Sequence, residues 1–294
     1  MNADWTLSVV DQSPIRRGGT PAQALAETIT LAQSCERWGY RRYWVAEHHN
    51  SSGLACTAPE ILIGQIAANT SSIHVGSGGV MLTHYSALKV AEQFRMLETF
   101  YPGRIDLGIG RAPGSDQLTI SALAYPKVPV DVQHFPQQVV DLLGYLSGTM
   151  SNGHPFSELK AQAGQAPDHI PDIWLLGSSD YSAQLAAALG LPFAFADFFG
   201  HTTDHGPIVA DIYRSNFKPS GYIQEPKLNV ALQVVCSDSQ ERADFAASSR
   251  RMGRLFSMLG LNQGGGMIPP EEATSYEPND QESAVIEQST KGFI

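Results

Sequence analysis

Four apolar runs along this chain, YWVAEHH (43–49), IHVGSGGV (73–80), RIDLGIGR (104–111) and DIWLLGSS (172–179), each end in residues that carry chemistry. A stretch of about four to eight mostly apolar residues between helical patterns reads as a strand buried in a parallel sheet. Parallel α/β proteins bind their ligands at the carboxyl ends of the strands. The histidines, glycines, arginine and serines that close these runs are therefore the first candidates for a site.

The rest of the chain supports that reading by alternation. WTLSVVD (5–11) is strand-like, and Thr20 and Pro21 open a helix that Gly39 stops. Strand YWVAE, a helix from about Pro59 to Asn69, strand IHVGSGGV, a helix from about Ser86 to Phe100 and strand IDLGIG follow. Such repetition predicts right-handed crossovers and a parallel sheet. Residues 112–134, with three prolines, and 148–171 interrupt the pattern around a helix from about Phe135 to Ser147. Segments this long are lids or binding loops more often than connectors. Alternation resumes with strand DIWLLG, helix YSAQLAAALG, strand FAFAD, a helix from about Asp204 to Phe217, strand KLNVALQVVC and a helix from about Ser239 to Leu259, making seven strands. A tail rich in glycine and proline (260–278) leads to a helical stretch near 281–289.

Composition narrows the function. With 294 residues and 43% hydrophobic content the chain can bury one large core, and a barrel of this class uses such a length as one domain. A single domain over 1–294, with 112–134 and 148–171 as insertions, is expected. Nineteen basic against 29 acidic residues give a net charge of -10, which opposes nucleic acid and favours a small-molecule partner. Cys35, Cys56 and Cys236 are widely spaced with no CxxC, the pattern of reduced thiols in the cytoplasm rather than of a disulfide framework or zinc knuckle. No run approaches the roughly 20 apolar residues of a membrane span, and the amino terminus lacks a signal pattern, so no membrane role is expected.

Each candidate has a plain structural alternative. Glu47, His48 and His49 are consecutive, and strand side chains alternate faces, so one metal ion cannot take all three while the segment stays extended. A histidine at a strand end is often just a hydrogen-bonded structural residue, but two after a carboxylate at this edge favour His48 as proton donor or substrate contact. Glycines inside a strand, here GSGG (76–79), mark a bulge or a place where a flat ligand approaches the backbone; for Gly78 and Gly79 both readings stand. Arg111 suits a phosphate or carboxylate, or an ion pair with an acidic residue. Ser178, Ser179 and Ser182 lie where a strand turns into a helix, an anion site by its hydroxyls and first-turn amides, although capping alone would account for one serine. A phosphate held between Arg111 and these serines is the economical account. In HTTDH (201–205) two histidines share a helical spacing without a third ligand, which reads as a solvated helix start and not as a metal site.

At WVAEHHN (44–50), VGSGGVML (75–82), AEQFRMLETFYPGRIDLGIGRAPG (91–114) and LLGSSDYSAQLAAALGLPFAFA (175–196), in this order, the chain resembles the bacterial-luciferase-like flavin monooxygenases. The likeness covers about residues 5–236 and implies a TIM-type (β/α)8 barrel. It further implies reduced FMN supplied by a separate flavin reductase, and molecular oxygen as cosubstrate. By resemblance His48 is the catalytic histidine beside the flavin ring, and Gly78 and Gly79 fall at a non-prolyl cis peptide under that ring. Arg111 falls at a phosphate-binding arginine, and Ser178, Ser179 and Ser182 at the phosphate loop. Against the family pattern the sequence stops at Ile294, before the last strand and helix of eight, so the expected barrel lacks or replaces them. A homodimer through the helices at 59–69 and 86–100 is also implied. The alternatives are a deazaflavin (F420)-dependent oxidoreductase of the same fold, a non-enzymatic flavin-binding protein, and a metal hydrolase using Glu47, His48 and His49.

Overall fold

The computed structural model describes residues 5–112, 114–162, 169–199, 205–260 and 265–290. They fall into two compact units, one comprising Met1–Ser13, Leu25–Asn50 and Cys56–Leu176, the other Pro14–Ala24, Ser51–Ala55 and Gly177–Ile294.

Parallel pairing organises the first unit. Strands β1 (Ser8–Asp11), β2 (Arg42–Val45), β3 (His74–Met81), β4 (Ile105–Gly110) and β5 (Asp172–Gly177) lie side by side in sequence order. Their registers run Ser8↔Arg42, Arg42↔His74, Val75↔Ile105 and Asp106↔Asp172. Helices α1 (Pro21–Arg37), α2 (Pro59–Ala68), α3 (Ala87–Phe100), α4 (Gln117–Ala124) and α5 (Phe135–Ser147) supply the connections. The start of α1 is written in the sequence: Thr20 Oγ1 accepts from the Gln23 amide at 3.2 Å while Gln23 Oε1 accepts from the Thr20 amide at 2.9 Å, a reciprocal cap ahead of Pro21. Gly39, at φ +79°, ends that turn in a conformation other residues avoid. Near the end of α1, burial opposes ionisation of Glu36, but amides of Ile73, Ser72 and Ser71 and the Ser72 hydroxyl outweigh it and hold the carboxyl down at about 2. That carboxylate ties α1 to the entry of β3.

Apolar side chains fill both faces of the central strands. Ile105, Leu107 and Ile109 of β4 are buried, with Val75, Val45 and Leu175 from its neighbours and Ile63, Ile66, Phe94 and Leu142 from the helices. That two-sided burial is why these strands read as near-continuous apolar runs. α4 departs from expectation: an eight-residue helix, capped by Asp116 accepting from the Thr119 amide at 2.9 Å, runs through the segment read as irregular. The three flanking prolines hid it, and it buries none of its residues, so it carries no apolar face for a periodicity to reveal.

The second unit holds α6 (Asp180–Leu189), β6 (Phe193–Ala196), α7 (Gly206–Asn216), β7 (Leu228–Ala231), α8 (Gln240–Met258), α9 (Pro270–Ser275) and α10 (Asp280–Thr290). β6 and β7 pair in parallel from Phe193↔Leu228 to Ala196↔Ala231. Only the first half of KLNVALQVVC is strand, and α9 was not expected from the sequence. Met252, Leu255, Ile268 and Ala273 form a small core there with Phe256, Tyr276, Val285 and Ile286 packed on it. Parallel strands alternating with helices give the fold class of a TIM-type α/β barrel, with seven strands among the described residues. Among those residues no helix is long and apolar enough to cross a membrane.

Candidate active site

Because β2, β3 and β4 are adjacent and parallel, their carboxyl ends fall on one edge of the sheet, and the segments leaving them meet. Leaving β2, the chain passes through Ala46 to Glu47, which is 1% exposed. Its Oε1 accepts from His49 Nε2 at 2.6 Å and from the Tyr85 hydroxyl at 2.6 Å, and its Oε2 accepts from the Met81 amide at 2.8 Å. A buried carboxylate demands such donors, and here they come from its own segment and from the end of β3. Burial and then the Glu47 hydrogen bond push the Tyr85 phenol well above its ordinary range. The His49 ring meets His84 edge-on at 6.1 Å, and His84 meets Tyr85 in the same way at 6.1 Å.

His48, between the two, takes separate partners. Its amide donates to the Cys56 carbonyl at 2.9 Å, and its half-buried ring has Nδ1 3.4 Å from the Ala46 carbonyl. Cys56 itself is pushed up to about 12 by burial and by Glu47, so it stays a thiol and is no nucleophile. Asn50 Nδ2 donates to Asp116 Oδ2 at 3.2 Å, joining the loop after β2 to the cap of α4.

Gly78 and Gly79 sit at a register shift between β3 and β4 and are joined by a cis peptide. Their lack of side chains is required by the chain itself. A Cβ on Gly79 would lie 2.7 Å from the Gly108 carbonyl oxygen, and one on Gly78 3.0 Å from Val10 and 3.1 Å from Trp44. Close packing at the bulge therefore requires glycine at both positions. Arg111 directly follows β4 and is half-buried.

In the second unit Ser179 is the N-cap of α6, yet its hydroxyl makes no capping hydrogen bond; it lies 3.3 Å from the hydroxyl of buried Ser182. Simple capping does not explain the serines. A Cβ on Gly177 would strike Ser182, so a bare backbone precedes the helix start. Ser178 lies just ahead of the cap. This is the donor set an anionic group meets at a helix N-terminus. Asp180 at the first turn lies 2.6 Å from His205 Nε2, at hydrogen-bond distance; His201, its companion in HTTDH, lies outside the described residues.

A different polar cluster lies at the opposite strand ends. Asp106, fully buried, accepts from Arg42, from Trp44 Nε1 at 2.7 Å and faces His74 Nδ1 at 3.3 Å, and Arg42 also reaches Asp172 at 3.1 Å. His74, Asp106 and Asp172 have metal-compatible spacing, but the Arg42 guanidinium already pairs with both carboxylates. Glu47 and His49 bond each other, and Glu47, His48 and His49 do not form a metal-compatible group among the described residues. Glu47 as a hub, with Tyr85 and His84, escaped the sequence reading. Tyr85 is 38 positions from Glu47, and only the general need of a buried acid for donors could have hinted at such a partner.

Comparison with known proteins gives matches along almost the whole chain. The profile of the luciferase-like monooxygenase family matches residues 6–288. A luciferase-like monooxygenase of Escherichia coli (strain K12) is 45% identical over 277 residues, 94% of this chain and 79% of that protein. An N-acetyl-S-alkylcysteine monooxygenase of Bacillus subtilis (strain 168) is 38% identical over 289 residues, 98% of this chain and 84% of that protein. Among solved structures apo-MsnO8 superposes with a TM-score of 0.83 at 34% identity, covering 98% of this chain and 91% of that one. The fold alone is shared with an F420-dependent secondary alcohol dehydrogenase (TM-score 0.66, 15% identity, 98% and 84% covered). The same holds for the FMN complex of the oxygenating constituent of 3,6-diketocamphane monooxygenase from Pseudomonas putida (TM-score 0.63, 16%, 98% and 91%).

Proposed function

This chain belongs to the luciferase-like monooxygenase family, and from that premise we propose that it uses reduced FMN, delivered by a separate flavin reductase, and molecular oxygen to oxygenate a small organic substrate. The observation that carries the proposal is the placement of His48, Gly78, Gly79 and Arg111 at the ends of three adjacent parallel strands. Bound flavin would supply the redox chemistry that activates oxygen.

The chain's own residues do the rest. His48 holds and moves a proton at its imidazole. Arg111 is a phosphate partner through its guanidinium fork, and Ser178, Ser179 and Ser182, with the start of α6, are phosphate partners through hydroxyls and amides. The bare backbone at Gly78 and Gly79 admits a flat ring. The 112–134 segment, tethered by Asn50 to Asp116, shields the site from water. The relative that acts on N-acetyl-S-alkylcysteines makes thioethers the first substrate class to try. We also place the protein in the cytoplasm, in keeping with three free cysteines. The proposed homodimer pairs α2 and α3, where Ile61, Met96 and Phe100 are 67%, 55% and 68% exposed.

Titration with oxidised and reduced FMN and with F420, followed by oxygen uptake over a thioether panel with a flavin reductase, tests this. Substrate-dependent uptake with FMN is expected. Turnover under nitrogen with F420 alone would instead establish the hydride-transfer alternative, and flavin binding without any uptake a non-enzymatic carrier.

A further inference from the structure

We propose that Glu47 is the positioning residue of this site: its carboxylate fixes the His49 proton on Nε2 and leaves Nδ1 as the nitrogen with which His49 accepts a proton. The role in turnover rests on the monooxygenase reading; the tautomer rests on the geometry alone.

An ionised carboxylate only accepts hydrogen bonds. Three groups approach Glu47: the Met81 amide at 2.8 Å, the Tyr85 hydroxyl at 2.6 Å and His49 Nε2 at 2.6 Å. At that distance Nε2 must carry a hydrogen, and in the neutral form of the ring the lone pair is then on Nδ1. Other contacts hold the ring in place. Tyr85 OH stands 3.3 Å from the same Nε2, His84 packs edge-on at 6.1 Å, and the His49 side chain is only 11% exposed. Nδ1 makes no hydrogen bond among the described residues. A carboxylate that orients one imidazole nitrogen to set the basicity of the other is a recurrent device in proton-transfer sites.

Glu47→Gln separates positioning from simple support. Glutamine has one acceptor oxygen, and the Met81 amide, which cannot reverse its polarity, claims it. The side-chain NH2 then faces His49 and Tyr85, so His49 must accept at Nε2 and carry its hydrogen on Nδ1. Long-range 1H–15N spectra of the protein labelled at histidine, without flavin or substrate and assigned by loss of a signal in His49→Gln, read this directly. Expected are an Nε2–H tautomer in the wild type and in Tyr85→Phe, and an Nδ1–H tautomer in Glu47→Gln.

With FMN and a thioether from the uptake screen, kcat of Glu47→Gln should fall about ten- to hundredfold while KM and flavin Kd stay within about twofold. Wild-type His49 protonated on Nδ1 overturns the proposal even if Glu47→Gln fails to fold. So does a tautomer unchanged by Glu47→Gln, or one that switches with no loss in kcat. A wild-type protein that turns over nothing defeats the monooxygenase reading and the proposed role in turnover, while the spectra still decide the tautomer.

Discussion

Asp106, in β4, and Glu47, just beyond β2, are both buried acids, yet they do different work. Asp106 is enclosed by Arg42, Trp44 and His74 and gains its keep by organising the strand entrances. Burial works against the Arg42 charge, but Asp106 and Asp172 outweigh it and raise its pKa. Asp106→Asn replaces an acceptor with a donor facing the guanidinium and should lower stability by about 3 kcal/mol, read as a drop in the urea midpoint. Asp172→Asn, at a side chain 55% exposed, should lower it by less than about 1 kcal/mol; equal losses would refute the ranking. At the proposed site the contrast is kinetic. His48→Ala should cut kcat about a hundredfold or more with little change in FMN affinity. Arg111→Ala should weaken FMN binding about tenfold or more with a smaller effect on kcat at saturation, as fluorescence titration and oxygen uptake would measure.

At the scale of elements, β3 and β4 approach so closely that side chains are excluded from several positions. A Cβ on Gly108 would run into the Ser77 carbonyl oxygen, whereas Gly110, two residues on in the same strand, has nothing within 4 Å of its Cβ position. Gly108→Ala should therefore destabilise by about 3 kcal/mol or more, because backbone rather than a pliant side chain must yield. Gly110→Ala should change stability by less than about 1 kcal/mol. Denaturant unfolding of the pair checks this, and a Gly108→Ala protein as stable as Gly110→Ala would show that the two strands can separate at little expense. These glycines also explain the ambiguity of GSGG as a sequence: the same residue answers a bulge and a ligand's approach, and composition cannot tell them apart.

For the molecule as a whole, the net charge of -10 and the exposed apolar side chains of α2 and α3 bear on assembly. If those helices pair two copies, Ile61→Asp with Phe100→Asp should convert a dimer into a monomer in sedimentation velocity without loss of secondary structure. A wild type that sediments as a monomer would remove the proposed interface. The central strands were legible because β2 and β4 are buried on both faces, whereas β1 and β7, only partly buried, were legible from their place in the alternation of strands and helices. α4 and α9 were not, since α4 buries none of its residues and α9 only Ala273, so neither imposes a full apolar pattern on the sequence.

What the sequence determined by itself is the order of strands and helices and the residues that close each strand, because two-sided burial and helix capping are local demands that single positions must meet. Tertiary structure alone decided the partners. It drew Tyr85 and Met81 onto Glu47 and placed Gly108 against Ser77. Hydrogen-bond complementarity and close packing act across spatial neighbours, and a sequence records such neighbours only as residues tens of positions apart.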